Sequence, residues 1–106
     1  MNRQDICILS IDQSTQGTKA LVFDSSGKLK ARAYKSHRQL VNEKGWVEHN
    51  PEELLSNVAE VCREAISKAD VSSSSIAAVG ITNQRETTLM WNRVTGKPIA
   101  NAVVWQ

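Results

Sequence analysis

Short β-rich apolar runs and clusters of small polar residues alternate through the first third of the chain. Residues 6–12, Ile-Cys-Ile-Leu-Ser-Ile-Asp, predict a strand ending in a carboxylate, and the polar stretch 13–18 predicts a turn. Residues 19–24, with Ala-Leu-Val-Phe at their centre, predict a second strand. Ser25-Ser26-Gly27 is turn chemistry, and residues 29–38 read as a third strand polar enough for a sheet edge. Two hairpins and three antiparallel strands follow.

The next segment, 39–49, shows no clear period and reads as a loop whose Trp46 packs over the core. Asn50-Pro51-Glu52-Glu53 then places Asn at the N-cap, Pro at the first helical position and Glu at the third, which satisfies free amides and opposes the helix dipole. A helix over residues 51–69 is predicted. Leu55, Val58, Ala59, Cys62, Ala65, Ile66 and Ala69 recur at three- and four-residue steps, giving an apolar face that covers a sheet. After the Ser-rich linker 70–75, residues 76–82 are nearly all apolar, as in a strand buried on both faces and parallel to the first. Residues 87–91 and 102–105 predict further strands around a turn at 92–97 and a break at Pro98. The chain stops at Gln106, one residue after an apolar strand, so a piece of a longer protein is expected.

Composition narrows the class. With 13 Lys plus Arg against 11 Asp plus Glu, the formal charge of +2 is too balanced for an electrostatic nucleic-acid binder. At 106 residues, 41% hydrophobic and 23% charged, the chain is in the range of one globular domain. The longest apolar runs are four residues, so no spanning helix is predicted. No signal peptide is apparent either, which makes the cytoplasm the expected location. Cys7 and Cys62 form no CxxC, and two reduced, buried thiols are expected instead of a zinc site.

The chemistry concentrates after the first strand. A carboxylate there, Asp12, sits at the centre of the predicted sheet, and the turn behind it carries Ser14, Thr15, Gly17, Thr18 and Lys19, whose hydroxyls, amides and charge suit phosphates. Neither a GxxxxGK[ST] nor a GxGxxG is present. Read without other motifs, the segment is equally a Ser/Thr/Gly turn with a solvated Asp. Three further stretches change that balance: residues 45–51, Gly-Trp-Val-Glu-His-Asn-Pro; residues 80–88, Gly-Ile-Thr-Asn-Gln-Arg-Glu-Thr-Thr; and residues 96–106, which contain Gly-Lys-Pro-Ile and Asn-Ala-Val-Val-Trp-Gln. In this order and nearly end to end, they resemble the N-terminal part of the FGGY carbohydrate kinases, nearest the glycerol-kinase branch. The hairpin itself, Asp12-Gln13-Ser14-Thr15-Gln16-Gly17-Thr18-Lys19, is closer to the xylulose kinases.

That resemblance implies an α/β fold of the ribonuclease-H-like type, shared by actin, Hsp70 and sugar kinases, with a mixed sheet and a covering helix. It also implies ATP-dependent phosphorylation of a polyol or sugar hydroxyl. Such chemistry depends on charge stabilisation and an oriented alcohol more than on covalent catalysis. By similarity, Asp12, Ser14, Thr15, Gln16, Gly17 and Lys19 would bind nucleotide phosphates, with Asp12 facing Mg2+ through water. Lys19 stands where glycerol kinases carry Arg, and would act as a point charge. Arg85 and Glu86 would hold the acceptor and Trp105 would pack against its carbons. A donor-only Arg beside an acceptor-only Glu suits a vicinal diol, although a solvated surface pair and a core tryptophan are the plain readings of these residues.

The resemblance further implies that residues 1–106 are a partial N-terminal domain, with phosphate hairpin 12–19, helix 51–69 and acceptor loop 83–88. The parent would be a cytoplasmic homo-oligomer binding neither nucleic acid nor membrane. Its catalytic Asp, second phosphate loop and adenosine pocket would lie outside the chain, leaving these 106 residues inactive alone. Two rivals stand beside this reading. A ribonuclease-H-type nuclease would want a second Asp where Asn83 stands. A non-catalytic sugar- or protein-binding module on a kinase-fold fragment would keep the fold without the chemistry.

Overall fold

A computed structural model describes residues 6–104. The three predicted strands form as β1 (Cys7–Gln13), β2 (Gly17–Asp24) and β3 (Leu29–Ser36), joined by hairpins. One helix, α1 (Pro51–Ala69), leads through a 3-10 turn at Ser73–Ser75 into β6 (Ile76–Thr82), which pairs parallel to β1. The sheet order is β3-β2-β1-β6, so β3 is an edge, as its polarity predicts, and β1 is internal. Membership of the ribonuclease-H-like ATPase class accords with this arrangement.

Alternation along the strands places Cys7, Leu9, Ile11, Ala20, Val22 and Ala33 under the helix. The helix answers with Val61, Ala65 and Ala69, and Asn57 is buried with them. This stripe runs at four-residue steps and lies slightly round from the predicted face. Leu55 is 73% exposed, while Val61, absent from the predicted face, is fully buried. Asn50 caps the helix by accepting from the Glu52 amide at 3.0 Å. Glu53 does not complete a capping box. Its carboxylate accepts instead from the Arg38 amide (3.0 Å) and Arg38 Nε (3.1 Å), tying the end of the third-strand segment to the first helical turn.

Two expectations fail because a second sheet exists. The segment 39–49 contains β4 (Leu40–Val41) and β5 (Val47–His49), which join β7 (Thr87–Thr88) and β8 (Ala102–Val104) in the order β4-β5-β8-β7. The tight turn between β4 and β5 is closed by Asn42, whose side chain accepts from the Lys44 and Trp46 amides. That geometry turns Trp46 outward: it is 53% exposed and lies under the Lys44 ammonium, 5.2 Å from the ring centre, not over the core. Likewise β6 is not buried on both faces. It is an edge strand, with Val79 53% and Ile81 70% exposed, because no element covers it among the described residues. Cys7 is buried, Cys62 is half-buried, and both thiols are free.

Candidate active site

A cavity of about 680 Å³ opens where the β1–β2 turn faces the loop that follows β6. One wall is residues 12–16 and the other residues 82–86. The fold explains this placement. Parallel pairing of β1 with β6 sets Asp12 beside Thr82, so both strands end together and release their loops at one end of the sheet. Asp12, Ser14, Thr15 and Gln16 thus meet Arg85 and Glu86 across one space, although about 70 positions separate the two groups in sequence.

The remaining predicted residues fare differently. Gly17 is buried behind the turn, where an added Cβ would lie 2.4 Å from Tyr34 Oη and 2.6 Å from the Lys35 carbonyl oxygen, so only glycine fits. Lys19 pairs across the ladder from Asp12, yet it does not line the cavity; it borders a separate depression with Arg32, Tyr34 and Lys68. Trp105 lies outside the described residues.

Inside the turn, the Ser14 hydroxyl donates to the Gly17 carbonyl at 2.8 Å, so it braces the hairpin first. The Thr15 and Gln16 carbonyls are held from behind, by the Gln39 side-chain amide (3.1 Å) and the His37 backbone amide (2.9 Å). On the facing wall Glu86 has φ of +54°, the left-handed region that non-glycine residues seldom occupy. The ion pairs among the described residues are Lys35–Glu60, Arg38–Glu53 and Glu64–Lys68, none of which involves Asp12, Lys19, Arg85 or Glu86.

Sequence reasoning missed a polar layer behind the cavity. His37 is 5% exposed and His49 fully buried, with ring centres 5.7 Å apart. Thr18 donates to Gln13 Oε1 at 2.7 Å, and its oxygen lies 3.1 Å from His37 Nε2. Asn57 Nδ2 is 2.9 Å from His37 Nδ1, which explains why a polar residue sits in the buried stripe of α1. Burial pushes the pKa of both histidines below the ordinary value; for His49 the neighbouring His37 adds to the effect, and for both the Glu53 carboxylate opposes it. A signal was present in sequence, since Gln13, His49 and Gln84 all fall inside the recognisable motifs, but nothing in their spacing brings them together.

A divalent cation is a poor fit to the protein alone. No cluster of three or more His, Cys, Asp or Glu side chains able to hold a metal exists among the described residues. Asp12 offers one carboxylate at the cavity, which suits Mg2+ brought in on phosphate oxygens and retaining its waters. The two-metal arrangement of a nuclease is not supported, since Asn83 occupies the wall beside Asp12. Also among the described residues, no helix is long and apolar enough to cross a membrane.

Comparisons with known proteins bear on the family and the fold. Residues 7–106 match the N-terminal domain of the FGGY family of carbohydrate kinases. Glycerol kinase of Saccharopolyspora erythraea is 54% identical over 99 residues, covering 93% of this chain and 20% of that protein. Glycerol kinase of Haloarcula marismortui is 49% identical over 102 residues, 96% of this chain and 20% of its own length. Among solved structures, Plasmodium falciparum glycerol kinase with ADP superposes with a TM-score of 0.80 at 40% identity, over 93% of this chain and 20% of that one. A ligand-bound xylulose kinase from Lactobacillus acidophilus gives 0.80 at 23% identity over 92% of this chain and 19% of that one, which speaks to the fold alone. The chain spans about a fifth of the length of the relatives it matches. With the family model spanning nearly all of the chain, this protein belongs to the FGGY family of carbohydrate kinases.

Proposed function

We propose that this chain is the acceptor- and phosphate-binding part of a kinase that transfers the γ-phosphoryl group of ATP to a hydroxyl of glycerol or a related polyol or sugar. The observation that carries the reading is the single cavity that brings the Asp12–Gln16 wall against Arg85 and Glu86. The functional segments are residues 12–19 as phosphate hairpin and 83–88 as acceptor loop, within a partial N-terminal domain of residues 1–106.

Each wall has work suited to its side chains. Residues 14–16 receive the phosphates, with Gly17 letting the chain pass close behind them and the Thr15 and Gln16 carbonyls turned back toward Gln39 and His37 and so away from like charge. Asp12 would help to hold a Mg2+ arriving with the nucleotide, and that ion would offset phosphate charge. Lys19, one strand over, supplies long-range positive potential instead of a direct fork. Arg85 donates to acceptor oxygens and Glu86 accepts from their hydroxyls, which fixes which oxygen faces the phosphates. The acceptor oxygen forms the new P–O bond as the β,γ bridge breaks and ADP leaves. Its proton goes to a carboxylate outside these residues, consistent with relatives about five times longer than this chain. Residues 1–106 alone are therefore inactive. The full enzyme acts in the cytoplasm as a homo-oligomer and needs neither nucleic acid nor membrane.

Glycerol is the leading acceptor because relatives at about 50% identity are glycerol kinases. Ketopentoses stay in the test because the hairpin departs from the glycerol-kinase pattern at Ser14, Gln16, Gly17 and Lys19. Coupled ADP release by the full product of this gene, with glycerol, xylulose, ribulose and other polyols offered separately, decides between them. Acceptor-dependent ADP formation is expected, strongest with glycerol. Tight acceptor binding without ADP formation would instead support the non-catalytic binding module.

A further inference from the structure

Beyond Asp12 and Thr82 the β1–β6 ladder ends, and the two walls of the cavity continue as separate loops. Among the described residues, one hydrogen bond then joins them: Gln13 Nε2 donates to Gln84 Oε1 at 3.2 Å. We propose that Gln13 and Gln84 are positioning residues that fix the acceptor loop against the phosphate hairpin through a closed, part-buried circuit of side-chain hydrogen bonds. This rests on the kinase reading above and adds to it two residues that touch neither ligand in that reading.

The circuit is directional, and each orientation forces the next. Gln39 Nε2 donates to the carbonyls of Thr15 and His37, both at 3.1 Å, so its oxygen must face the other way. There it lies 2.8 Å from His49 Nε2, which therefore carries the ring hydrogen. In the neutral ring Nδ1 is then an acceptor, and Gln84 Nε2 donates to it at 3.1 Å and to Thr87 Oγ1 at 2.8 Å. The Gln84 oxygen consequently faces Gln13 Nε2, and the Gln13 oxygen is left to accept from Thr18 at 2.7 Å. Starting from Thr15 at the hairpin tip, the path runs through Gln39, His49 and Gln84 and returns to the hairpin at Gln13.

Turning over Gln39 or Gln84 sets donor against donor at His49 or Gln13, and turning over Gln13 sets its oxygen against that of Gln84, which leaves part-buried polar atoms unpaired. Hairpin and loop are thereby held in one relative placement, and Arg85 and Glu86 follow directly on Gln84. A circuit that served only stability would not distinguish acceptor from nucleotide. One that positions the loop must register in acceptor binding, even when it is cut on the hairpin side.

Steady-state kinetics of the full product of this gene test this, with ATP and its preferred acceptor, for Gln13→Leu, Gln84→Leu and the double variant. Each single substitution is expected to raise the acceptor KM about 10-fold, and the double to exceed the worse single by no more than about twofold, because both cut the same link. Gln84→Leu should leave the ATP KM within about twofold. Thr87→Val, which removes one hydroxyl partner of Gln84, is the milder variant should either leucine fail to fold, with an expected acceptor KM rise of about threefold. Acceptor KM values within error of wild type in folded variants, or a double equal to the product of the singles, overturn the proposal while leaving the kinase reading in place. A wild-type protein that forms no acceptor-dependent ADP overturns the kinase reading, and this one with it.

Discussion

Gly17 and the two buried histidines carry the most pointed consequences at the scale of single residues. An alanine Cβ at position 17 would meet the Lys35 carbonyl oxygen at 2.6 Å as well as the Tyr34 ring, and backbone cannot swing aside as a side chain can. Gly17→Ala should therefore cost about 2 kcal/mol or more in denaturant unfolding, and adding Tyr34→Ala should not restore it. Recovery in the double variant would show that the ring alone sets the constraint. His37 and His49 have depressed pKa values in the folded chain, chiefly through burial, so the unfolded chain binds more protons around and below the ordinary histidine value of about 6.5. Stability should accordingly be level above that value and fall as pH is lowered through it toward the depressed folded values. Denaturant midpoints taken from pH 8 to pH 5 check the sign; a midpoint that rose on acidification would contradict it. Asp12, Arg85 and Glu86 were legible as candidates because they fall in motifs that name themselves. Gln13 and Gln84 were not, since a glutamine's role depends on which way its amide faces, and that is fixed only by partners brought in from β5 and from the segment ahead of β4.

Among the elements, α1 was read to its residue bounds because its start is chemical: Asn50 at the cap, Pro51 behind it and acidic residues in the first turn. Its face was read less well. Leu55 counts as apolar in any periodic template yet is exposed, while Val58, Cys62, Ala65, Ile66 and Ala69 of the expected face do pack on the sheet, with Asn57 and Val61 joining them from beside it. The C-terminus holds a correctable flaw. Asp70 takes the left-handed conformation, with φ of +56°, and places a carboxylate at the negative end of the helix dipole. Asp70→Gly should raise stability by about 1 kcal/mol without changing turnover, as thermal unfolding and kinetics of the full product would register. Strands at β7 and β8 were expected, but β4 and β5 and the pairing of all four into a sheet escaped the sequence reading, because two- and three-residue strands carry no period. Two local pairs, β4–β5 and β7–β8, are joined into one sheet by a contact between segments some 50 positions apart, His49 with Ala102.

For the molecule as a whole, shape departs from what a self-sufficient domain of this size would have. The radius of gyration is 16.0 Å, against roughly 13 Å for a compact chain of this length. Along one side β6 presents an edge unpaired among the described residues, with Val79 and Ile81 exposed, and Met90, Trp91 and Ile99 are exposed on the loops beyond. The mixed composition that reads as one ordinary globular domain could not reveal this, because composition counts apolar residues without saying which find partners. An open edge of this kind invites pairing between copies, so residues 1–106 prepared alone should self-associate. Sedimentation velocity across a concentration series checks it, and a single monomeric species throughout would count against it.

The division of labour across the cavity is the central claim, and it is tested most directly by acceptor-dependent ADP formation in the full product of this gene, wild type beside Arg85→Ala and Asp12→Asn. Wild type should turn over. Arg85→Ala should raise the acceptor KM by about 10- to 100-fold, the loss of charged hydrogen bonds, with the ATP KM nearly unchanged. Asp12→Asn should instead lower kcat and respond to Mg2+ concentration, with the acceptor KM little altered. Turnover with both variants indistinguishable from wild type, or an Arg85→Ala defect confined to ATP, would contradict the assignment of the two walls.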